Sequence, residues 1–303
     1  MMKKILLFSG MFLLLACNDG SQVEAEVQIP ETPGAAFSVS DSNFNTTYNT
    51  ILDALEDNPN STVVAQVNHT SNAQNAGLTL RNTRLILFGN PNLGTPVMQD
   101  KPLAGIDLPQ KMLVYEDVDG NILVSYNATD YLVARHGVDA VETLPQIDNA
   151  LENLATLGTN AEVTINDSAD VSLFQGIIST PSANTFEETY TNLKTAIQDN
   201  PNLTIIAEVD HKDNAQSVGL DLAPMRVIIF GNPSLGTPLM QSAQTTALDL
   251  PQKMMVWEDA DGSVLVTFNL PFYLKERHDI TDSDATLTQI QTALENLATG
   301  AAQ

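Results

Sequence analysis

The chain has 303 residues, of which 43% are hydrophobic, so it is long enough for two globular domains that each bury a core. It carries 37 acidic and 13 basic side chains, giving a formal net charge of −24. Such an acidic surface repels nucleic-acid phosphates and anionic lipid headgroups, which argues against nucleic acid as a partner and against binding to a membrane through basic residues. The charge favours solubility in a salty or extracytoplasmic medium over a specific cationic partner.

The first seventeen residues have the features of a signal peptide. Lys3 and Lys4 give a basic start, and the apolar run at residues 5–16 is shorter than a transmembrane helix requires. The run ends in Leu-Leu-Ala-Cys17, which resembles the lipobox of bacterial lipoproteins and implies cleavage before the cysteine and its lipidation. A plain signal peptide with an incidental cysteine is the alternative. Cys17 is the only cysteine, so no intramolecular disulfide can form, and the polar, acidic residues 18–35 predict a flexible tether.

Beyond this tether the sequence repeats itself at an offset of 142 residues. The alignment needs no gap between residues 44 and 136 of the first copy. Twelve of the 16 residues from 84 to 99 are identical to those from 226 to 241. One extra residue then shifts the offset to 143 for a shared Leu-Glu-Asn-Leu-Ala-Thr segment. We therefore predict a tandem duplication with a first domain at residues 36–158 and a second at 159–303.

Each copy predicts the same order of elements, described here for the first copy. A short strand at 37–40 leads to a helix that Asp41 or Ser42 can cap and that Asn-Pro-Asn at 58–60 ends. Apolar or β-branched runs then predict strands at 62–67, 84–88, 112–115 and 122–126, with an Asp-Gly hairpin turn between the last two. Two helices follow at 129–136 and 144–155. The order β-α-β-β-β-β-α predicts an α+β fold, an antiparallel sheet with helices mainly on one face.

The strand at 84–88 is apolar on both of its faces, and so is its equivalent at 226–230. A layer of helices covers one face of a sheet, so the second face needs another cover. The other copy is the natural cover. We therefore predict that the two copies fold together as a pseudo-two-fold pair.

Three segments resemble the domain of unknown function 302 family: FGNPNLGTPVMQ at 88–99, DLPQKMLVYEDVDG at 107–120 and YLVARHG at 131–137. Counterparts occur in the second copy, so the resemblance covers residues 37–140 and 179–282. It implies a β-α-β(4)-α fold similar to the saddle of the TATA-binding protein. Because members are known as dimers of single domains, it also implies that this chain carries both halves of such a dimer. It implies no chemistry, since the family's activity is not established, and a saddle fold on so acidic a chain does not indicate DNA binding.

All four histidines occupy equivalent positions in the two copies. His136 and His278 close a predicted helix, where a histidine suits the helix dipole and Gly137 can act as the C-cap. His69 and His211 directly follow a predicted strand. Two interpretations remain open for this second pair: a histidine hydrogen-bonded within a strand-to-loop corner, or a residue that binds a ligand, a metal or a proton.

The segment Gly-Asn-Pro-x-Leu-Gly-Thr-Pro predicts a rigid loop that serves as a binding site or as a tight connection. It lacks the Gly-Lys-Ser/Thr ending of a phosphate-binding loop. Lys111 and Lys253 precede strands that end in Glu116 and Glu258, where a cross-strand Lys–Glu pair is the simplest account. The candidate ligand-binding residues are His69, Asn90, Thr95, Met98, Lys111, Glu116, His211, Asn232, Thr237, Met240, Lys253 and Glu258.

No nucleophile or metalloprotease motif occurs in the sequence. The sequence therefore favours a lipid-anchored module of the bacterial cell envelope, facing the periplasm or the cell exterior, that binds a small molecule or a protein. Two alternatives stay open: a hydrolase-like enzyme with His69 and His211 as general bases, and soft-metal or haem binding through His and Met. The sequence identifies neither ligand nor cofactor. We expect His69 to lie near residues 89–98 of one copy or their equivalents in the other, with Lys111 or Glu116 bordering the same cleft.

Overall fold

The computed structural model describes residues 27–303 of the chain. The predicted signal peptide, Cys17 and the first part of the predicted tether lie outside the described residues. The end of the predicted tether belongs to the fold, because Thr32 is buried and the Pro33 carbonyl accepts two hydrogen bonds from the guanidinium of Arg277. Within residues 27–303, no helix is both long and apolar enough to span a bilayer.

The two copies have the same order of elements, with helices inserted between strands. The first copy contains β1 (Ala35–Val39), α1 (Phe44–Glu56), β2 (Thr62–Asn68), α2 (His69–Asn75), β3 (Thr83–Gly89), α3 (Pro91–Asp100), the first 3₁₀ segment (Pro102–Ile106), β4 (Gln110–Glu116), β5 (Ile122–Asn127), α4 (Thr129–His136) and α5 (Leu144–Thr159). After β6 (Thr164–Ile165), the second copy contains β7 (Ile177–Pro181), α6 (Phe186–Gln198), β8 (Thr204–Asp210), α7 (His211–Ser217), β9 (Met225–Gly231), α8 (Pro233–Ser242), the second 3₁₀ segment (Gln244–Leu248), β10 (Gln252–Glu258), β11 (Val264–Asn269), α9 (Pro271–His278) and α10 (Asp284–Ala301).

Each copy folds into an antiparallel sheet. The strand orders are β2-β3-β4-β5-β1-β6 in the first copy and β7-β11-β10-β9-β8 in the second. In the first copy, α1 and α5 pack together over the sheet, and α1 buries the apolar side of the predicted helix. The prediction of tandem α+β domains with antiparallel sheets is confirmed. The predicted cap of α1 is wrong, because the side chain of Asn43, not of Asp41 or Ser42, accepts from the Thr46 N–H.

The second face of each sheet is covered by the other copy. The first 3₁₀ segment packs on β9, β10 and β11, and the second packs on β3, β4 and β5. The apolar strand residues Leu85, Ile86 and Leu87 are consequently buried. Between the copies, the hydroxyl of Tyr273 donates to the hydroxyl of its equivalent, Tyr131, at 3.1 Å. The chain thus forms an intramolecular pseudo-two-fold pair, as the doubly apolar strands predict.

Two segments predicted as loops are helices. The side chain of Asn68 accepts from the Ser71 N–H, so α2 begins directly at the end of β2. At the predicted rigid loop, the Asn90 side chain accepts from the Asn92 N–H and Pro91 takes the first helical position, where its fixed φ is favourable. The loop prediction is wrong because Asn-Pro caps and starts a helix as readily as it forms a turn.

Candidate functional site

Two cavities occupy equivalent places, and each is built from both copies. The His69 cavity, of about 200 Å³, is named for a histidine of the first copy, and most of its lining comes from β8, α8, α10 and the start of β10 in the second copy. The His211 cavity, of about 400 Å³, reverses this arrangement, since most of its lining comes from β2, α3, α5 and the start of β4. Small-molecule sites commonly enclose roughly 300–1,000 Å³, so the cavities suit compact ligands.

The structure brings most of the sequence-predicted residues to these cavities. The His69 cavity contains His69 together with Asn232, Thr237 and Met240 of the second copy. The His211 cavity contains His211 together with Asn90, Thr95 and Met98 of the first copy. Each histidine therefore lies beside the Asn-Pro helix of the other copy. The candidates that lie outside both cavities are Lys111, Lys253, Glu116 and Glu258.

Lys111 and Glu116 lie apart because they are five residues apart on β4, and side chains an odd number of residues apart point to opposite faces of a sheet. The Lys111 Nζ donates to Asp249 Oδ1 at 2.8 Å across the interface between the copies. Glu116 instead accepts from the Asn82 side chain at 2.6 Å. The predicted Lys–Glu cross-strand pair is therefore wrong.

Each cavity is lined by three equivalent side chains that carry an unpaired polar atom, and the His211 cavity has a fourth, Ser61 Oγ. In the His69 cavity, His69 Nε2, Thr237 Oγ1 and Gln252 Nε2 are buried without a hydrogen-bond partner among residues 27–303. In the His211 cavity, the equivalent atoms of His211, Thr95 and Gln110 are unpaired in the same part of the chain. Sequence reasoning missed Gln110 and Gln252, although the Pro-Gln-Lys triplet that contains them occurs in both copies. A buried polar group left unpaired costs about 1–3 kcal/mol, and a ligand with complementary groups removes that cost.

The two cavity histidines are neutral near pH 7. Burial lowers the pKa of His69 to about 4, and burial together with the nearby Lys253 lowers the pKa of His211 to about 4. The backbone of the second copy at Leu250 and Ala247 partly opposes this shift in the pKa of His69. A neutral imidazole has one nitrogen that donates and one that accepts, so the unpaired Nε2 serves in either role according to the tautomer. Nε2 can therefore accept a hydrogen bond or bind a metal.

A second group of functional-type residues lies buried between the copies, outside the cavities. Asp107 Oδ2 is 2.8 Å from Arg135 Nη1 and 2.7 Å from His136 Nε2. The interface ion cluster consists of Asp107, Lys111, Arg135 and His136 with their equivalents Asp249, Lys253, Arg277 and His278. Burial alone would raise the pKa of Asp107, but Arg135, His136 and Lys253 together hold it well below its usual range. The helix-end histidines thus pair with buried carboxylates, a role that their position before a C-cap does not predict.

The interface ion cluster is asymmetric at its lysines. Lys111 Nζ donates to Asp249, whereas the buried Nζ of Lys253 has no hydrogen-bond partner in the described part of the chain. Burial, followed by the charge of Lys111, lowers the pKa of Lys253 to about 7, and the carboxylates of Asp107 and Asp249 partly oppose this change. In the same range, residues 27–303, no group of three or more His, Cys, Asp or Glu side chains is placed to hold a metal ion.

The family model described as "Domain of unknown function DUF302" matches residues 36–154 and again residues 178–297. The chain belongs to the DUF302 family. A solved DUF302 structure, the crystal structure of an uncharacterized conserved protein from Bacillus stearothermophilus, is 15% identical with a TM-score of 0.39, and the match covers 43% of this chain and 99% of that chain. The tandem DUF302 organisation expected from the sequence is confirmed.

Curated proteins similar to one segment of this DUF302 chain are fluoride-specific ion channels of Brucella. FluC 1 of Brucella suis and FluC 2 of Brucella melitensis are each 45% identical over 78 residues, or 26% of this chain. The match covers 31% and 29% of those two proteins. The chain therefore spans less than a third of the length of the curated relatives it matches.

Proposed function

We propose that this DUF302 chain is a lipid-anchored protein of the bacterial cell envelope, facing the periplasm or the cell exterior, that binds a small molecule in each of its two cavities. Support for the anchor comes from the basic start, the short apolar run and the Leu-Leu-Ala-Cys17 sequence. Support for binding comes from the cavities between the copies. The proposal is one of binding and assigns no catalytic step to these cavities.

The observation that carries the binding proposal is the repeated set of unpaired polar atoms. An unpaired ring nitrogen alone does not indicate a ligand, because His136 Nδ1 is also buried without a partner in residues 27–303 but lies outside both cavities. Here His69 and His211 are 4% and 5% exposed, and their Nε2 atoms find no partner in residues 27–303. The same arrangement, with a threonine and a glutamine beside each histidine, occurs in both cavities. In each cavity, a ligand with matching hydrogen-bonding groups accounts for the three equivalent atoms.

The test compares ligand retention by variants of the mature protein. Small molecules that co-purify with it are identified by native mass spectrometry and by extraction. The double variant His69→Leu with His211→Leu should lose them while its melting temperature stays within a few degrees of the parent. Thr246→Val is the matched control, because Thr246 Oγ1 is also buried without a partner in the described residues but lies outside both cavities. Unchanged retention by the double variant would contradict the proposal.

The anchor is tested separately in cells. Globomycin, which blocks the lipoprotein signal peptidase, should cause an unprocessed precursor to accumulate. Cys17→Ser should abolish incorporation of labelled fatty acid and also leave an unprocessed precursor. Unchanged processing in the presence of globomycin, or a soluble secreted product from the parent gene, would show that the signal peptide is a plain one.

A soft metal ion is the second candidate ligand, because a histidine and a methionine line each cavity. Met240 lies in the His69 cavity, and Met98 lies in the His211 cavity. Imidazole and thioether are ligands that suit Cu(I). Anaerobic titration with Cu(I) should give two binding events that the His69→Leu with His211→Leu variant lacks. Equal binding by parent and variant would eliminate this candidate.

The hydrolase alternative receives less support. A general base works best with a pKa near the working pH, whereas burial holds the pKa of both cavity histidines at about 4. Glu116 and Glu258, the carboxylates suggested as their partners, lie outside the cavities. Fluoride conduction is not proposed either, because the match to the named channels covers less than a third of their length.

A further inference from the structure

We infer that the two cavities take a neutral, mainly apolar molecule that carries a hydroxyl group, an inference that rests on the proposed binding function. Three properties of the cavities lead to this ligand class: their charge, their apolar lining and the hydrogen-bonding character of their unpaired atoms.

The absence of charged side chains favours a neutral ligand in the His69 cavity. Among the described residues that line it, none is Asp, Glu, Lys or Arg. Its histidine is neutral as well, since burial holds its pKa at about 4. A carboxylate or an ammonium group would therefore be partly desolvated in an apolar cavity without a counter-charge, which is unfavourable.

Most of the cavity wall is apolar. In the His69 cavity the wall includes Val67, Ile206, Phe230, Leu250, Ile290 and Leu294. Several of these side chains also belong to the hydrophobic core, so core residues form part of the wall of this partly open cavity. A ligand with an extended apolar body buries surface here at about 25 cal/mol for each Å² removed from water.

The unpaired atoms select a group that donates and accepts at the same time. In its Nδ1–H tautomer His69 accepts at Nε2, the Gln252 Nε2 group donates, and the Thr237 hydroxyl does either. A ligand hydroxyl donates one hydrogen and accepts through its oxygen, so it can pair with the histidine and the glutamine together. A ketone or an ether has no hydrogen to donate, a carboxylate has none when ionised, and a hydrocarbon leaves all three protein atoms unpaired.

The His211 cavity has the same three atoms, adds the unpaired Ser61 Oγ as a fourth, and has a more acidic border. Glu208 and Asp210 join its lining, and both carboxylates already have partners. Lys194 lies 2.8 Å from Glu208, and Arg226 pairs with Asp210. Because both carboxylates are already paired with cations, they do not compensate a ligand charge. A charged ligand therefore finds no unpaired counter-charge among the described residues that line either cavity.

Three probes of similar shape test the ligand class on the mature parent protein at neutral pH. The probes are 4-ethylphenol, ethylbenzene and 4-ethylbenzoate, with binding followed by calorimetry and by amide chemical shifts. We expect 4-ethylphenol to bind at least about tenfold more tightly than ethylbenzene, as one buried hydrogen bond allows, and 4-ethylbenzoate to bind most weakly. Binding of 4-ethylphenol should also shift the Nε2 resonance of His69 in a long-range ¹H–¹⁵N spectrum.

Variants of the His69 cavity assign the preference to its polar atoms. His69→Leu and Thr237→Val should each reduce the preference for 4-ethylphenol over ethylbenzene, whereas the control Thr246→Val should preserve it. Equal affinity for 4-ethylphenol and ethylbenzene would overturn the hydroxyl requirement, and tighter binding of 4-ethylbenzoate would overturn neutrality; the binding function would survive either result. A protein that retains a co-purified ligand but binds no probe would overturn the ligand class alone. A protein with neither co-purified ligand nor probe binding would overturn the proposed binding function itself.

Discussion

Replacing either lysine of the interface ion cluster by methionine should change the stability of the chain in opposite directions, although Lys111 and Lys253 occupy equivalent positions on β4 and β10. Methionine keeps an unbranched apolar stem and removes the charge. Lys111→Met leaves Asp249 Oδ1 without its partner at 2.8 Å. Lys253→Met removes a buried ammonium that has no hydrogen-bond partner in residues 27–303, while Asp107 keeps its arginine and histidine partners.

The size of each effect follows from the environment of the amine. The pKa of Lys253 falls from its ordinary value of 10.5 to about 7 in the folded chain. At about 1.36 kcal/mol for each pH unit, keeping this amine charged costs the folded state roughly 4–5 kcal/mol below pH 7. Between pH 7 and 10.5 the unfolded chain binds more protons, so this cost disappears as the pH rises. Loss of one partner from a buried ion pair costs roughly 3–5 kcal/mol, which is the loss expected for Lys111→Met.

Urea unfolding of the parent and both variants, at neutral pH and at about pH 9.5, measures both effects. At neutral pH the urea midpoint should rise for Lys253→Met and fall for Lys111→Met. The slope of the unfolding free energy against urea concentration should not change. The gain of Lys253→Met should shrink at the higher pH, because the parent amine is then neutral in the folded chain. Equal destabilisation by both substitutions, or a gain by Lys253→Met that persists at high pH, would refute this account of the cluster.

Residues 36–158 expressed alone should self-associate or unfold far more easily than the full chain, because their apolar strands lose their cover; a stable monomer in analytical ultracentrifugation would contradict this. Unfolding free energy should fall as the pH drops from 6.5 to about 4, because His69 and His211 take up protons in this range only when the chain is unfolded. The variant His69→Leu with His211→Leu should flatten this part of the pH profile. Tyr273→Phe should cost about 0.5–1.5 kcal/mol in urea unfolding. The control Tyr115→Phe should cost less, since its hydroxyl has no partner in the described chain.

The tandem fold was predictable because its signals are local or internally repeated. The predicted helix at 129–136 matches the bounds of α4, since apolar spacing and the glycine that follows it are both local features. Alignment of the copies identified paired positions without any structure. The apolar character of both faces of β3 required a second cover, and the other copy provides it. Local patterns therefore predicted most elements, although they misplaced the cap of α1 and read the Asn-Pro segment as a loop.

The site was only partly predictable because its contacts cross between the copies. Proximity of His69 to the Asn-Pro segment was expected, but the sequence could not decide which copy supplies that segment. Asp107 was overlooked because a single acidic residue before Leu-Pro carries no spacing signal, although it is the partner of Arg135 and His136. The pairing of Lys111 with Glu116 was wrong for a different reason. Strand spacing identifies neighbours within a sheet, whereas the buried partner of Lys111, Asp249, comes from the other copy.

Fusion of the two copies into one chain has a consequence that a dimer of identical chains could not have. Two identical subunits related by a two-fold axis carry identical cavities, because every substitution appears in both. In this chain the second copy has Glu208 and Asp210 where the first has Gln66 and Asn68, so only the His211 cavity has an acidic border. That cavity is also about twice as large, at about 400 Å³ against about 200 Å³. The shared histidine, threonine and glutamine fix one hydrogen-bonding requirement for both cavities, while their borders and volumes allow ligands of different size to meet it.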